Sequence, residues 1–328
     1  MNGIFSKGPA GMAGPAWHAR RIAPIAVLAV LVSLAFWGSD YLLSIMILIM
    51  CYMAIGQMWN LLGGYAGLVS LGQQSFIGLG GYTLAKITQV YHLPVILAFV
   101  LAAVISVLFA LLISIPVFKM KGVYFTIGTW IVAECLALFF STWSFSNYAQ
   151  GYTITATYAF STAQIYLVAL AVGVGALIVV MAVLRSRLGL ALMAMRDNAA
   201  ASEVRGVEQY RTKLKCFLIS AAVTGIAGAA LYLNQAFIQP ANAFGISWTV
   251  SMVFIAIIGG MGTVEGPIIG AVIFVLLRQA LYNFPGISMM LLGLIAIAII
   301  MIAPRGIMGI IRRKTQFEIF PVRRHPSA

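Results

Sequence analysis

Apolar runs long enough to cross a bilayer recur along this 328-residue chain and leave little else for it to fold into. A spanning helix needs about 20 consecutive apolar residues. Runs of that kind cover residues 22–37, 41–62, 66–87, 94–118, 123–141, 162–184, 214–238, 246–260, 266–283 and 287–303. Hydrophobic residues make up 62% of the sequence and charged ones 8%, where a soluble domain carries about 25% charged. The expected class is therefore all-α, a polytopic membrane protein of about ten transmembrane helices in the lipid bilayer. The composition excludes an ordinary soluble enzyme and leaves no length for a separate catalytic domain.

The first run follows a basic stretch but ends in Phe36-Trp-Gly-Ser-Asp40, without the small residues of a cleavage site, so it reads as a retained helix. The net charge of +13 lies in tails and loops: Lys7, Arg20 and Arg21; Lys119 and Lys121; Arg185 to Lys215; Arg305 to Arg324. That is the imprint of the positive-inside rule and points to topology, not to nucleic acid. The basic clusters are separated by four, two and four runs, all even, which places both termini in the cytoplasm. Residues 1–21 and 304–328 then read as basic cytoplasmic tails, and 22–303 as one membrane domain with a cytoplasmic loop at 185–215. Cys51, Cys135 and Cys216 lie in or beside apolar runs without paired spacing, and His18, His92 and His325 are far apart. The cysteines read as small core residues, and a metal site is not expected.

Two windows are weak as simple helices. Residues 56–81 hold eight glycines (56, 63, 64, 67, 72, 78, 80 and 81), and residues 245–270 hold six (245, 259, 260, 262, 266 and 270). Membrane glycines serve either close helix packing or a break beside a cavity. Paired Gly-interrupted segments in two halves of a chain also point to a translocation pathway. In the first window Ser70, Gln73, Gln74 and Ser75 place hydroxyls and amides in lipid, where they need partners. These four residues, with the intramembrane carboxylate Glu134, are the candidate pathway positions. For Glu134 a second reading stays open, a buried carboxyl hydrogen-bonded to its neighbours and holding helices in register.

The 185–215 loop carries seven basic residues (Arg185, Arg187, Arg196, Arg205, Arg211, Lys213 and Lys215) and three acidic ones (Asp197, Glu203 and Glu208). Its middle, residues 189–205, is rich in helix formers, with Asp197 or Asn198 as an N-cap and Gly206 beyond the end. Such a helix has two uses: lying in the headgroup layer or docking into a groove on a partner.

Ala194-Met-Arg-Asp-Asn-Ala-Ala-Ala201, followed by Gly206, Lys213 and the run 217–230, resembles the cytoplasmic loop of LivM-type permease subunits of branched-chain amino-acid ABC transporters. The resemblance extends to Asn60-Leu-Leu-Gly-Gly-Tyr-Ala-Gly-Leu-Val-Ser-Leu-Gly-Gln-Gln-Ser75 and on to Tyr82, and to Ile258-Gly-Gly-Met-Gly-Thr-Val-Glu-Gly-Pro267 through Ala271, covering most of residues 42–305. The chain departs from the family at Ala199, where an acidic residue is frequent, and at Gly72-Gln73, where Gly-His or Gly-Asn is. The resemblance implies a coupling helix that docks into a separate ATPase, with Arg196, Asp197, Asn198, Glu203 and Gly206 at or near that contact. It further implies a second homologous permease, a periplasmic binding protein that supplies the substrate, and a bacterial inner-membrane location.

The residues agree with a permease powered from outside. No G-x-x-x-x-G-K-[ST] occurs, so ATP would be bound by partner subunits and no cofactor is expected on this chain. An ion-coupled carrier usually embeds several ionisable groups at mid-membrane, and Glu134 is the one clear case here. That carrier is the alternative function, together with an ABC permease for urea, amides or sugars. An intramembrane enzyme would need a paired-carboxylate or nucleophile–base arrangement, which the runs do not contain. Reversing the charge at Arg196 or Asp197 is expected to uncouple transport in an inserted, folded protein, and uptake assays at matched expression check it.

Overall fold

The structure, a computed structural model, describes residues 15–282, 285–302 and 306–309. Most of both basic tails, including Lys7 and Arg312 to Arg324, lies outside those residues. Helices α1 (Pro15–Trp37) and α2 (Asp40–Asn60) are joined by a short turn in which Ser39 caps α2, its hydroxyl accepting from the Leu42 N–H. Helical backbone in α1 starts at Pro15, where proline's fixed φ and missing N–H suit a first turn, so the apolar run from residue 22 is the later part of a longer helix.

After α2 a single π turn, Leu61–Tyr65, leads into irregular backbone over residues 66–73, and α3 (Gln74–Gln89) follows. The run 66–87 is thus not one helix, and its first eight residues have no helical ladder. Next come α4 (Val95–Val117), α5 (Val123–Thr142) and α6 (Thr162–Arg185), the last opened by a capping box between Ser161 and Gln164. Two short helices, α7 (Arg187–Asp197) and α8 (Ala199–Val204), precede α9 (Gln209–Gln235). The chain continues through α10 (Pro240–Ala243), α11 (Ile246–Gly259), α12 (Gly266–Ala280) and α13 (Pro285–Ile302). The strand pairing among the described residues is one two-residue antiparallel bridge, β1 (Tyr152–Thr153) against β2 (Phe237–Ile238).

Among the described residues, six helical stretches are long and apolar enough to cross a membrane: Asp40–Tyr65, Val95–Val117, Val123–Thr142, Thr162–Arg185, Gln209–Gln235 and Pro240–Gly259. Their burial separates centre from periphery. In α2 and α9, 72% of the apolar window is buried, against 22% in α4 and 28% in α5. The inner pair therefore meets protein on nearly all sides, and α4 and α5 keep an apolar face of the kind that lipid covers.

Small residues let the inner helices touch backbone to backbone. A Cβ at Gly80 of α3 would fall on the Gly225 carbonyl of α9, and one at Gly228 would lie 2.5 Å from the Ile77 carbonyl. The α11–α12 pair repeats the device, since a Cβ at Gly270 would strike the Ile255 carbonyl. Lipid tails offer no hydrophobic drive for helix association, so this close van der Waals contact holds the bundle together. Cys51 and Cys216 are buried as expected, whereas Cys135 sits on the exposed face of α5. Gly228→Val is expected to cost about 1–3 kcal/mol or more by overpacking, read as a lower melting temperature of the detergent-solubilised protein. Gly175→Ala, with nothing within 4 Å of the added carbon, is expected to leave it unchanged.

Candidate functional site

The two glycine-rich windows converge at the end of α2. Gln57 donates from Nε2 to the Val264 carbonyl at 2.6 Å, and Asn60 donates from Nδ2 to the Thr263 carbonyl at 2.8 Å. Asn60 Oδ1 in turn accepts from the Gly262 N–H at 2.8 Å. One polar turn of α2 thereby clasps the residue 260–265 connection between α11 and α12. Gly260 and Gly262 take positive φ there, +123° and +75°, which side-chain-bearing residues rarely adopt. Glu265, 2% exposed, occupies the N-cap position of α12, its carbonyl accepting from the Ile269 N–H.

Beyond the π turn the backbone of residues 66–73 runs without a helix, buried at Ala66, Ser70, Gly72 and Gln73 and exposed at Gly67 and Val69, and side chains take over part of its hydrogen bonding. Trp59 Nε1 donates to the Ser70 carbonyl at 2.9 Å, and Thr126 Oγ1 to the Val69 carbonyl at 2.8 Å. Thr129 Oγ1 accepts from the Leu71 N–H at 3.1 Å, and the single hydroxyl proton of Thr249 is shared between the Leu71 carbonyl at 3.3 Å and Gln74 Oε1. Irregular backbone at membrane depth survives only with partners of this kind.

The segment ends on the four polar residues singled out from the sequence, which the fold brings together. Ser70 and Ser75 are 1% exposed, and Gln73 and Gln74 are 0%. Gln73 Oε1 accepts from Thr224 Oγ1 at 3.2 Å and faces Ser220 Oγ at 3.5 Å, both on α9. Gln74 Oε1 accepts from Thr249 Oγ1. The amide nitrogens of both glutamines and the Ser75 hydroxyl have no partner among the described residues. Uncompensated amides in an apolar interior cost roughly 1–3 kcal/mol each, so the cluster holds donor capacity that folding alone does not use.

Glu134 does not join this cluster. It sits partly buried on α5, its Oε1 accepting from Trp130 Nε1 one turn back at 3.0 Å. Lys86 is 9% exposed: its Nζ donates to Tyr152 Oη at 2.6 Å and lies over the rings of Phe145 and Tyr152. Arg278 donates to Tyr52 Oη.

In the 185–215 loop Asn198 is the N-cap of α8, its Oδ1 accepting from the Ala201 N–H at 3.0 Å, and a further helix, α7, precedes it. Asp197, Asn198, Glu203 and Gly206 are exposed, and Gly206 turns at φ +82° with open space around it. Arg196 is exposed as well, its side chain 41% accessible, but its Nη1 donates to the Gly64 carbonyl at 2.7 Å. Sequence reading passed over Asn60 and Thr249 as site residues. Asn60 carried a usable signal, a lone amide in an otherwise apolar run; Thr249 carried none, because threonine satisfies itself on its own helix in most settings.

Residues 41–303 match the family described as branched-chain amino acid transport system / permease component. The chain belongs to that family. Among its relatives, the high-affinity branched-chain amino acid transport system permease protein LivM of Salmonella typhimurium is 28% identical over 324 residues, covering 90% of this chain and 76% of the relative. The LivM protein of Escherichia coli is 27% identical over 328 residues with the same coverage. A probable branched-chain amino acid transport permease protein LivH from Methanocaldococcus jannaschii matches at 28% over 135 residues, 38% of this chain and 42% of its own length. No solved structure matches. The match spans both glycine-rich windows and the α7–α8 element, so the features just described belong to the permease domain itself. These relatives are transport permeases, not enzymes.

Asn60→Leu removes a donor and an acceptor that two backbone groups depend on and is expected to cost about 1–3 kcal/mol per group left unsatisfied. Gln73→Leu removes an amide whose nitrogen is unpartnered, and is expected to leave the melting temperature unchanged or higher. Thermal denaturation of the purified protein in detergent checks both.

Proposed function

We propose that the chain is the transmembrane permease subunit of an ABC importer for branched-chain or other small amino acids. It pairs with a second homologous permease, draws energy from separate ATPase subunits and receives substrate from a periplasmic binding protein. The observation that carries the reading is the family match over residues 41–303, which includes the exposed two-helix element on the basic side of the membrane domain. The ten crossings expected from the apolar runs comprise the six long spans with α1, α3, α12 and α13, both termini lying in the cytoplasm of a bacterial inner membrane. ATP is held by the partner subunits, and no cofactor is assigned to this chain.

In this reading the α7–α8 element, with Arg196, Asp197, Asn198, Glu203 and Gly206, is the coupling site. Closure of the ATPase subunits on ATP moves the element, and the helix bundle alternates between outward- and inward-facing arrangements. Ser70, Gln73, Gln74 and Ser75 border the translocation pathway and offer amide and hydroxyl donors to a polar solute. Glu134 borders it from α5. The supporting physics is the unspent donor capacity at the start of α3 beside irregular backbone, the combination that transporters place next to a cavity.

A mild-detergent pull-down of the tagged chain from its native membrane tests the proposal. An ATPase subunit and a second permease are expected to co-purify, with ATP hydrolysis in the eluate, and leucine is expected to be taken up by vesicles supplied with ATP and the binding protein. Recovery of the chain alone, with uptake driven by an ion gradient, replaces the importer by a carrier. ATP-driven uptake of urea, an amide or a sugar in place of leucine keeps the importer and changes the substrate.

A further inference from the structure

Arg196, at the end of α7, faces the membrane breaks. Its Nη1 donates to the Gly64 carbonyl at 2.7 Å, while Nε and Nη2 both reach Asp197 Oδ1, at 3.2 and 3.1 Å. Gly64 belongs to the π turn that runs straight into residues 66–73. The side chain also lies against glycines from both windows. A Cβ at Gly67 would come within 3.3 Å of Arg196 Cγ, and one at Gly262 within 3.2 Å of Arg196 Nη1. Those two glycines have φ of +69° and +75°, so both breaks turn tightly where this one guanidinium sits. Asn60 closes the junction by binding Gly262 and Thr263 from α2.

We propose that Arg196 is the positioning residue that carries movement of the α7–α8 element to both glycine-rich breaks. The inference rests on the importer reading and reassigns the work within its coupling site. A charged fork bonded on one side to a backbone carbonyl and on the other to a carboxylate is a directional tether. Lysine, a point charge on a flexible stem, does not hold both ends at once. Displacement of α7 therefore pulls on Gly64 and on the segment whose far end carries Gln73 and Gln74.

The test uses the full-length chain assembled with its partner subunits, with radiolabelled leucine, the binding protein and ATP. Arg196→Lys and Arg196→Gln are expected to retain the ATPase subunit at wild-type stoichiometry and to hydrolyse ATP. Leucine transported per ATP is expected to fall by about tenfold, within the range of coupling between distinct sites. Loss of the ATPase subunit in the Arg196 variants would make that residue a docking contact and overturn the proposal. So would an unchanged transport-to-ATP ratio. Should Arg196→Gln fail to accumulate, Gly262→Ala reads the same ratio with the arginine intact. Absence of an ATPase subunit from the wild-type preparation would instead overturn the importer reading, and is told apart because it needs no variant.

Discussion

In lipid a peptide group has no water to fall back on, so every N–H and C=O within the membrane domain must find its partner in the protein. Helices meet that demand on their own, which is why nearly the whole described chain is helical. The departure over residues 66–73 meets it by borrowing side chains. Trp59, Thr126, Thr129 and Thr249, from three different helices, supply hydrogen bonds that a continuing helix would have made internally. The broken segment thus exists only because α2, α5 and α11 surround it.

Glycine serves the two ends of this arrangement in different ways. Gly80, Gly225, Gly228 and Gly270 are helical and bring backbones into contact, so the inner helices pack tightly without help from the hydrophobic effect. Gly67, Gly260 and Gly262 turn the chain at positive φ and let two irregular connections meet at the end of α2. Close packing and breaks, which the sequence pattern leaves as alternatives, coexist and divide the glycines between them.

The polar groups follow the same division between satisfied and unspent. Asn60 and Gln57 donate to the opposite connection and act as structural clasps. Gln73 and Gln74 spend their oxygens on threonine hydroxyls and keep their nitrogens free of partners among the described residues. Under the proposed importer reading, those nitrogens are donors available to a polar solute. The Arg196 junction connects that region to the α7–α8 element.

Length and hydropathy by themselves determined the all-α membrane class, because a bilayer's thickness and the cost of exposed peptide groups act on composition directly. The glycine windows, the polar residues at 70–75 and the N-cap in the 185–215 loop were legible for a similar reason, since each is a local exception in an apolar chain. Only the tertiary structure decided which glycines pack and which turn, that the helix after the π turn waits until Gln74, and that Lys86 is caged by Phe145 and Tyr152. It also decided that Glu134 stands apart from the amides and that Arg196 looks inward to Gly64. Each of these depends on groups more than fifty residues apart in sequence or on the side of a helix that a neighbour covers, and such contacts leave no trace in local pattern.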